Sequence, residues 1–161
     1  MKDRSAMDEF YDYLQGVKQT YTDIIPVLRE EMDRIAKDDV AALDETLKRQ
    51  QALLLKTRNF DDKIAEYIER LGISASTLTE TVREFPEDDR FRFYDFLGEF
   101  GRVVEQVDFY KNKCRELLQA KLYGIDKRLA DLPGSRESLT YDENAGGVTK
   151  SLYSKTFEKK I

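Results

Sequence analysis

Apolar side chains recur along about the first 130 residues at spacings of three and four, with polar residues between them. This spacing predicts amphipathic helices that pack along one stripe. The first helix spans about Ser5 to Lys37, and its stripe is Phe10, Leu14, Val17, Tyr21, Ile24, Leu28, Met32 and Ile35. Because proline lacks a backbone N–H and clashes one turn back, Pro26 is expected to kink this helix or divide it near Asp23 to Ile25.

A second helical run begins after the short segment Lys37 to Asp39 and continues to Gly72. Asp38 or Asp39 is expected to cap this helix, and the short turn predicts a hairpin with the first helix. Its stripe is Val40, Leu43, Leu47, Leu54, Ile64, Ile68 and Leu71, interrupted by the polar residues Gln50, Thr57 and Asp61. These polar positions either set the register of the helices or leave a groove unfilled for a partner helix.

A short helix and a very long one complete the pattern. Leu78, Val82 and Phe85 lie on one face of the short segment, with Ser74 or Ser76 as its expected cap. The last helix runs from about Asp88 to Leu132, and its stripe is Phe93, Phe96, Phe100, Val103, Val107, Tyr110, Cys114 and Leu117, followed by Leu118, Leu122, Ile125, Leu129 and Leu132. Because it is the longest helix, its final turns must project or be covered by another segment. Three additional aromatic residues are interpreted as core contacts, namely Phe91, Tyr94 and Phe109.

The predicted fold is all-α, an elongated antiparallel bundle of three long helices and one short helix in residues 1–132. The break at Leu132-Pro133-Gly134 starts a flexible, partly disordered tail over residues 133–161. The tail is too polar to fold alone but carries Leu139, Tyr141, Val148, Leu152, Tyr153, Phe157 and Ile161. Val148, Leu152, Phe157 and Ile161, with Tyr153 beside them, nearly line one side of a helix. Such a segment either folds on a partner or docks on its own bundle.

Composition and charge exclude several classes of function. Of 161 residues, 40% are hydrophobic and 37% are charged, which is typical of a helical bundle. The net charge is −5, divided into −6 for the body and +1 for the tail. An acidic body without a basic stripe argues against nucleic-acid binding. No apolar stretch is long enough for stable membrane insertion, and the first residues do not form a secretory signal, so a cytoplasmic protein is expected.

The inventory of reactive side chains argues against an enzyme. The chain has no histidine, which removes Glu-x-x-His metal pairs, the usual zinc ligands and the base of Ser or Cys triads. There is no Gly-rich phosphate-binding loop. The single cysteine, Cys114, lies in an apolar stripe and is expected to be buried. We therefore expect no catalytic residues, no metal and no cofactor.

Several segments resemble the FlgN family of flagellar export chaperones. They are Glu30-Glu31, the turn Lys37-Asp38-Asp39-Val40, the run Leu43 to Leu55, the tail sequence Leu139-Thr140-Tyr141-Asp142, and Gly146-Gly147. The resemblance implies a cytoplasmic type III export chaperone for hook-filament junction proteins. It would bind their C-terminal helical segments, prevent premature assembly and deliver them to the export gate. By the same analogy Tyr141 contacts the gate, and the expected cargo anchors are Val148, Leu152, Tyr153, Phe157 and Ile161.

Two other interpretations remain open at this stage. One is a structural coiled-coil protein that scaffolds or self-assembles through the stripe from Phe93 to Leu117. The other is an export chaperone for a different flagellar or injectisome cargo. A chaperone of this kind is expected to be a monomer or a weak dimer.

Overall fold

The computed structural model describes residues 4–132, most of which lie in five helices. These are α1 (Arg4–Ala36), α2 (Val40–Thr57), α3 (Phe60–Arg70), α4 (Leu78–Arg83) and α5 (Glu87–Ala130). No strand occurs within this described part, and the prediction of an all-α helical bundle is confirmed. The residues of the predicted tail, 133–161, lie outside it, so the domain boundary at Leu132 stays a prediction.

Helix α1 passes through Pro26 without interruption. The proline is exposed, whereas four apolar neighbours are buried and hold the helix against the core, namely Ile24, Ile25, Val27 and Leu28. Their burial offsets the backbone hydrogen bond that proline cannot make. Of the two predicted outcomes, a kink or a division near Asp23 to Ile25, the division is therefore wrong.

The turn between α1 and α2 is as short as predicted. Asp38 adopts a left-handed conformation with φ 56°, which aspartate tolerates better than most residues. The side chain of Asp39 then caps α2 by accepting a hydrogen bond of 3.2 Å from the backbone N–H of Ala42. Of the two predicted caps, Asp39 is the one used, and α2 returns along α1 as a hairpin.

The predicted second helix is divided into α2 and α3 at Arg58 and Asn59. The backbone N–H of Arg58 bonds back to Leu55, which tightens the last turn of α2. Asp61 and Asp62 then lie in the first turn of α3, where the helix dipole favours negative charge. One continuous helix to Gly72 was therefore a wrong prediction, although α3 does end at Arg70, just before Gly72 with φ 68°.

Thr77, rather than Ser74 or Ser76, is the N-cap of α4. Its hydroxyl accepts a hydrogen bond of 3.2 Å from the backbone N–H of Glu80, while the Glu80 carboxylate accepts from the backbone and hydroxyl of Ser76. This arrangement resembles a capping box. It differs in that the backbone N–H bonded by the Glu80 carboxylate belongs to Ser76, one residue before the cap Thr77.

Ion pairs fix the directions of the long helices. Arg49 pairs with Glu30 and Arg70 with Glu9, so α2 and α3 run antiparallel to α1. Helix α5 runs parallel to α1, as its pairs Arg92–Asp8, Glu99–Lys18 and Lys121–Asp38 advance together along both helices. Because Lys121 is already level with the turn at Asp38, the last turns of α5 project beyond the bundle. Tyr123, Ile125 and Leu132 are exposed there.

Helix α1 is the centre of the bundle and packs along both α5 and the α2–α3 segment. The core is rich in aromatic rings, with centroids 4.7 Å apart for Phe85 and Phe93 and 5.1 Å apart for Tyr21 and Phe100. Its packed apolar side chains run from Ala6 to Leu28 on α1 and end at Val107 on α5. The predicted stripe of α5 is mostly correct, but Val104 is buried in place of Val103.

Several predicted core residues lie on the surface instead. Phe91, Tyr94 and Phe109 are 68%, 40% and 54% exposed, so their interpretation as core contacts was wrong. A helix that buries Phe93, Phe96 and Phe100 on one face must carry Phe91 and Phe109 on the other.

Helix α2 is rotated from the orientation that its heptads predict. Val40 and Leu47 are 76% and 37% exposed, whereas Thr46 and Thr57 are buried. The two hydroxyls donate to carbonyl oxygens of their own helix, Thr46 to Ala42 and Thr57 to Leu54. Threonine can thus face the core without an unpaired polar group, and leucine side chains are left outside it.

Candidate functional site

None of the binding residues predicted in the tail falls within the part of the chain that the structure describes. Tyr141, Val148, Leu152, Tyr153, Phe157 and Ile161 all lie after residue 132. Their roles in binding therefore stay predictions.

Four polar side chains from three helices meet where the packed core ends. We call this set the polar layer: Glu31 of α1, Gln50 of α2, and Lys111 and Cys114 of α5. Glu31 is only 7% exposed, and its carboxylate interacts with Cys114, Gln50 and Lys111. The Cys114 thiol itself donates to the backbone carbonyl of Leu28 at 3.4 Å. One carboxylate oxygen, Oε2, is buried without a hydrogen-bond partner.

Burial dominates the electrostatics of the polar layer. It raises the pKa of the Glu31 carboxyl above its usual range, although Cys114, Lys111 and Gln50 act in the opposite direction. Burial likewise lowers the pKa of the Lys111 ammonium and raises the pKa of the Cys114 thiol to about 12. A thiol with such a pKa is not a nucleophile at neutral pH, and the buried position predicted for Cys114 is observed.

Beyond the polar layer the bundle has apolar side chains that are not part of the packed core. We call this set the distal groove: Ile35 of α1, Val40, Leu43 and Leu47 of α2, and Leu118 and Leu122 of α5. Ile35 is buried, but Leu43, Leu118 and Leu122 are only partly buried, and Val40 and Leu47 are exposed. None of the six belongs to the core cluster.

Helical geometry places these residues on facing sides. Leu47 and Leu43 precede Gln50 by three and seven residues, and Leu118 and Leu122 follow Cys114 by four and eight. Each set therefore lies on the same helix face as its member of the polar layer, one and two turns nearer to the α1–α2 turn. Helices α2 and α5 both pack on α1 but make at most marginal contact with each other. These residues therefore flank α1 at this end of the bundle, and because Ile35 is only 4% exposed, the apolar surface left to solvent belongs to the flanking side chains of α2 and α5.

A second concave surface lies at the opposite end of the bundle, between α3 and the segment leading to α4. This cavity of about 640 Å³ is lined by apolar side chains that include Ile64, Ile68, Ile73 and Leu78, with Asp61 and Glu69 among its polar residues. It is open to solvent and of a size that suits apolar side chains of a partner.

The outer face of α5 is a weaker candidate. Phe91 and Phe109 lie on this face, but they are separated by about 27 Å of helix that carries the exposed residues Arg102 and Glu105. Isolated exposed aromatic residues of this kind are normal on protein surfaces.

The described residues hold no arrangement that indicates metal chemistry or a membrane span. Residues 4–132 contain no group of three or more Cys, Asp or Glu side chains that could hold a metal ion. In the same range no helix is long and apolar enough to cross a bilayer.

The core stripe of α5 bears on the scaffold interpretation. Self-assembly through the residues from Phe93 to Leu117 requires that stripe to be free, yet Phe93, Phe96 and Phe100 are at most 1% exposed. These side chains are already used within the chain, mainly against α1.

Comparison with protein families gives one match, to the model described as FlgN protein, and it covers residues 1–148. The chain belongs to the FlgN family. FlgN proteins are flagellar type III export chaperones, so the chaperone class predicted from the sequence is confirmed. No curated protein and no solved structure shows a significant match. The FlgN match includes Tyr141 and Val148, whereas Leu152, Tyr153, Phe157 and Ile161 lie beyond it.

Sequence reasoning missed Glu31 as a member of the core stripe. Spacings of four, three and four connect Ile24, Leu28, Glu31 and Ile35, and all four are buried. The prediction placed Met32 in the stripe instead, and Met32 is only partly buried. The spacing alone therefore contained the signal, but the charge of Glu31 argued against it.

Proposed function

We propose that this FlgN-family protein binds the C-terminal helical segments of hook-filament junction proteins, keeps them from assembling prematurely, and delivers them to the export gate in the cytoplasm. The observation that supports cargo binding most directly is the distal groove. Leucines line both of its walls, and their partial exposure leaves apolar surface available to a third helix. An amphipathic helix laid into such a groove buries its own apolar face.

The energetics favour a reversible complex. Burying three side chains of leucine or phenylalanine size contributes roughly 5 to 8 kcal/mol before costs. Ordering a flexible segment takes back roughly 2 to 5 kcal/mol. A chaperone that has to release its cargo needs a modest net affinity of this kind.

The tail supplies the second half of the proposal. Val148, Leu152, Tyr153, Phe157 and Ile161 are its apolar anchors for cargo, and Tyr141 is its contact with the export gate. The polar layer borders one end of the groove and connects its two sides, because Glu31 interacts with side chains of both α2 and α5. No nucleotide, metal or covalent step is part of this mechanism.

Calorimetric titration with a C-terminal peptide of a hook-filament junction protein tests cargo binding. We expect the double variant Leu43→Asp/Leu47→Asp to bind at least tenfold more weakly, because the charges would lie in the apolar wall of the groove. The matched control is Phe91→Asp, which places a charge at an exposed site on the outer face of α5. Unchanged affinity in the groove variant would contradict the groove, and no binding by the natural chain would contradict the proposed cargo.

Two further variants separate the roles of the tail. Phe157→Ala/Ile161→Ala is expected to weaken peptide binding at least tenfold, and equal binding by a chain ending at Leu132 would assign the cargo to the groove alone. Such a chain retains every residue of the packed core described above. Tyr141→Ala is expected to reduce cargo export in cells while leaving peptide affinity unchanged. Normal export by that variant would refute the gate contact.

A further inference from the structure

We propose that, in the protein without cargo, the end of its own tail occupies the distal groove. The occupant is residues 151–161, in which Tyr153, Phe157 and Ile161 recur at intervals of four and therefore share one helix face. Lys155 and Lys159 fall on the opposite face. Docking itself does not depend on the proposed function. Only its consequence rests on it, namely that cargo displaces the tail end from the groove and the released apolar side chains then hold the cargo.

The groove offers the apolar surface that this segment lacks. Leu47 remains 37% exposed and Val40 remains 76% exposed, although both lie on a helix that packs against α1. Leu43, Leu118 and Leu122 are partly buried and stand outside the packed core. Three side chains spaced over about two turns match the α2 side of the groove, where Val40 to Leu47 also span about two turns, and Leu118 and Leu122 add about one turn on α5.

The point at which the tail leaves the bundle favours this groove. Leu118 and Leu122 precede Leu132 by about 10 to 14 residues of α5, which places them about 15 to 21 Å from the start of the tail. A connecting segment of about 20 residues, 133–152, has a typical end-to-end distance of about 25 Å. The typical end-to-end distance of the connecting segment is therefore close to the distance between Leu132 and the groove. Such a match gives the tail end a high effective concentration at the groove.

The other concave surface is placed much less favourably. The cavity beside α3 lies near Tyr67, which stacks on Phe10, and Phe10 in turn contacts Phe93. From Phe93 to Leu132 α5 extends about 58 Å. A connection of about 20 residues reaches about 66 Å only when fully extended. Docking of the tail end in that cavity would thus cost nearly all of its conformational freedom.

Charge at the rim of the groove adds to the match. The first turns of α2 carry the exposed carboxylates of Asp39, Asp44 and Glu45, of which Asp44 pairs with Lys48 at 3.0 Å and Asp39 lies 4.0 Å from Arg34. The tail segment carries Lys155, Lys159 and Lys160 against the single acid Glu158. Surface ion pairs of this type contribute little energy but favour one orientation of the docked segment.

Paramagnetic relaxation in the full-length protein tests the docking. A nitroxide is attached at Ser151→Cys, and the buried Cys114 is expected to stay unlabelled, which treatment of the unsubstituted chain with the same reagent checks. We expect selective broadening of backbone amides in residues 40–50 and 115–125, and none in residues 60–78. The variant Phe157→Asp/Ile161→Asp with the same label should lose this broadening, and the matched control Leu139→Asp, in the connection, should keep it.

Three results would overturn the proposal. The first is the absence of selective broadening, and the second is broadening around the α3 cavity. The third is broadening that appears only when spin-labelled molecules are mixed with separate isotope-enriched molecules. That third result would show that a second copy of the chain occupies the groove. Because no cargo is present, failure here leaves the proposed function standing. Conversely, broadening in a protein that binds no junction-protein peptide would establish docking and refute the cargo.

Discussion

Replacing the buried Glu31 by methionine is expected to stabilise the bundle at pH 7. Its Oε2 atom is buried without a hydrogen-bond partner, and leaving such a group unsatisfied costs about 1 to 3 kcal/mol. Methionine has a similar volume and no polar group. Part of the gain is lost with the attraction between Glu31 and Lys111, although Lys111 also interacts with Asp108. The expected net gain is about 1 kcal/mol, or about 3 °C in Tm for a bundle of this size.

The gain should depend on pH in a definite direction. Because burial raises the pKa of Glu31 in the folded state, folding favours its protonated form, and the natural protein loses stability from this group as pH rises above the unfolded-state pKa. At pH 4, where the carboxyl is largely protonated, the advantage of Glu31→Met should shrink. Urea denaturation followed by circular dichroism at both pH values measures the difference, with an unchanged m-value as the sign of an unchanged fold.

Glu30, the residue next to Glu31, provides a control because its pKa is shifted in the opposite direction. A hydrogen bond from Arg49 lowers the pKa of Glu30, so this carboxylate contributes stability that is present at neutral pH and lost as the pH falls. Glu30→Met should therefore give no gain at pH 7. The reasoning is refuted if the two variants behave alike, or if Glu31→Met is no more stable than the natural protein at pH 7.

Three further outcomes are expected from the packing of the bundle. Phe85→Ala should lower the free energy of unfolding, measured by urea denaturation, by about 3 to 5 kcal/mol, because the ring is 1% exposed. Phe91→Ala should change it by no more than about 0.5 kcal/mol, and equal effects would contradict the assigned burial. Cys114, with a pKa of about 12, should resist a thiol-reactive disulfide reagent at pH 8 until urea unfolds the protein, and rapid native labelling would disprove its burial. Thr77→Ala should cost about 1 kcal/mol and speed hydrogen exchange in α4, while Thr79→Ala should not.

The sequence predicts the helices well because their apolar spacing is regular and their ends carry recognisable caps. It places α1 and α5 within a few residues, and as expected Asp39 caps the start of α2 and Gly72 follows the end of α3. The break at Arg58 and Asn59 is harder to predict, because no glycine or proline marks it. The acids Asp61 and Asp62 in the first turn of α3 are the local signal that a new helix begins there.

The rotation of α2 is a tertiary effect that spacing does not contain. Its heptads assign Leu47 to the core, yet Thr46 takes that place because its hydroxyl is satisfied by Ala42 within the same helix. The distal groove exists only because of this rotation. Sequence reasoning offered an unfilled groove at the polar positions Gln50, Thr57 and Asp61 as one of two alternatives, whereas the distal groove lies before Gln50 on this helix.

The parallel arrangement of α1 and α5 has a mechanical consequence. A pull on the chain at residue 133 acts along the axis of α5 and would have to slide this helix past α1, so the side-chain contacts along the whole interface resist together. Drawing α1 and α2 apart at the end away from their connecting turn would instead separate them one turn at a time. A machine that draws on the tail would therefore meet the most resistant direction of the bundle, and the aromatic core about 60 Å away would remain folded while the tail is under tension.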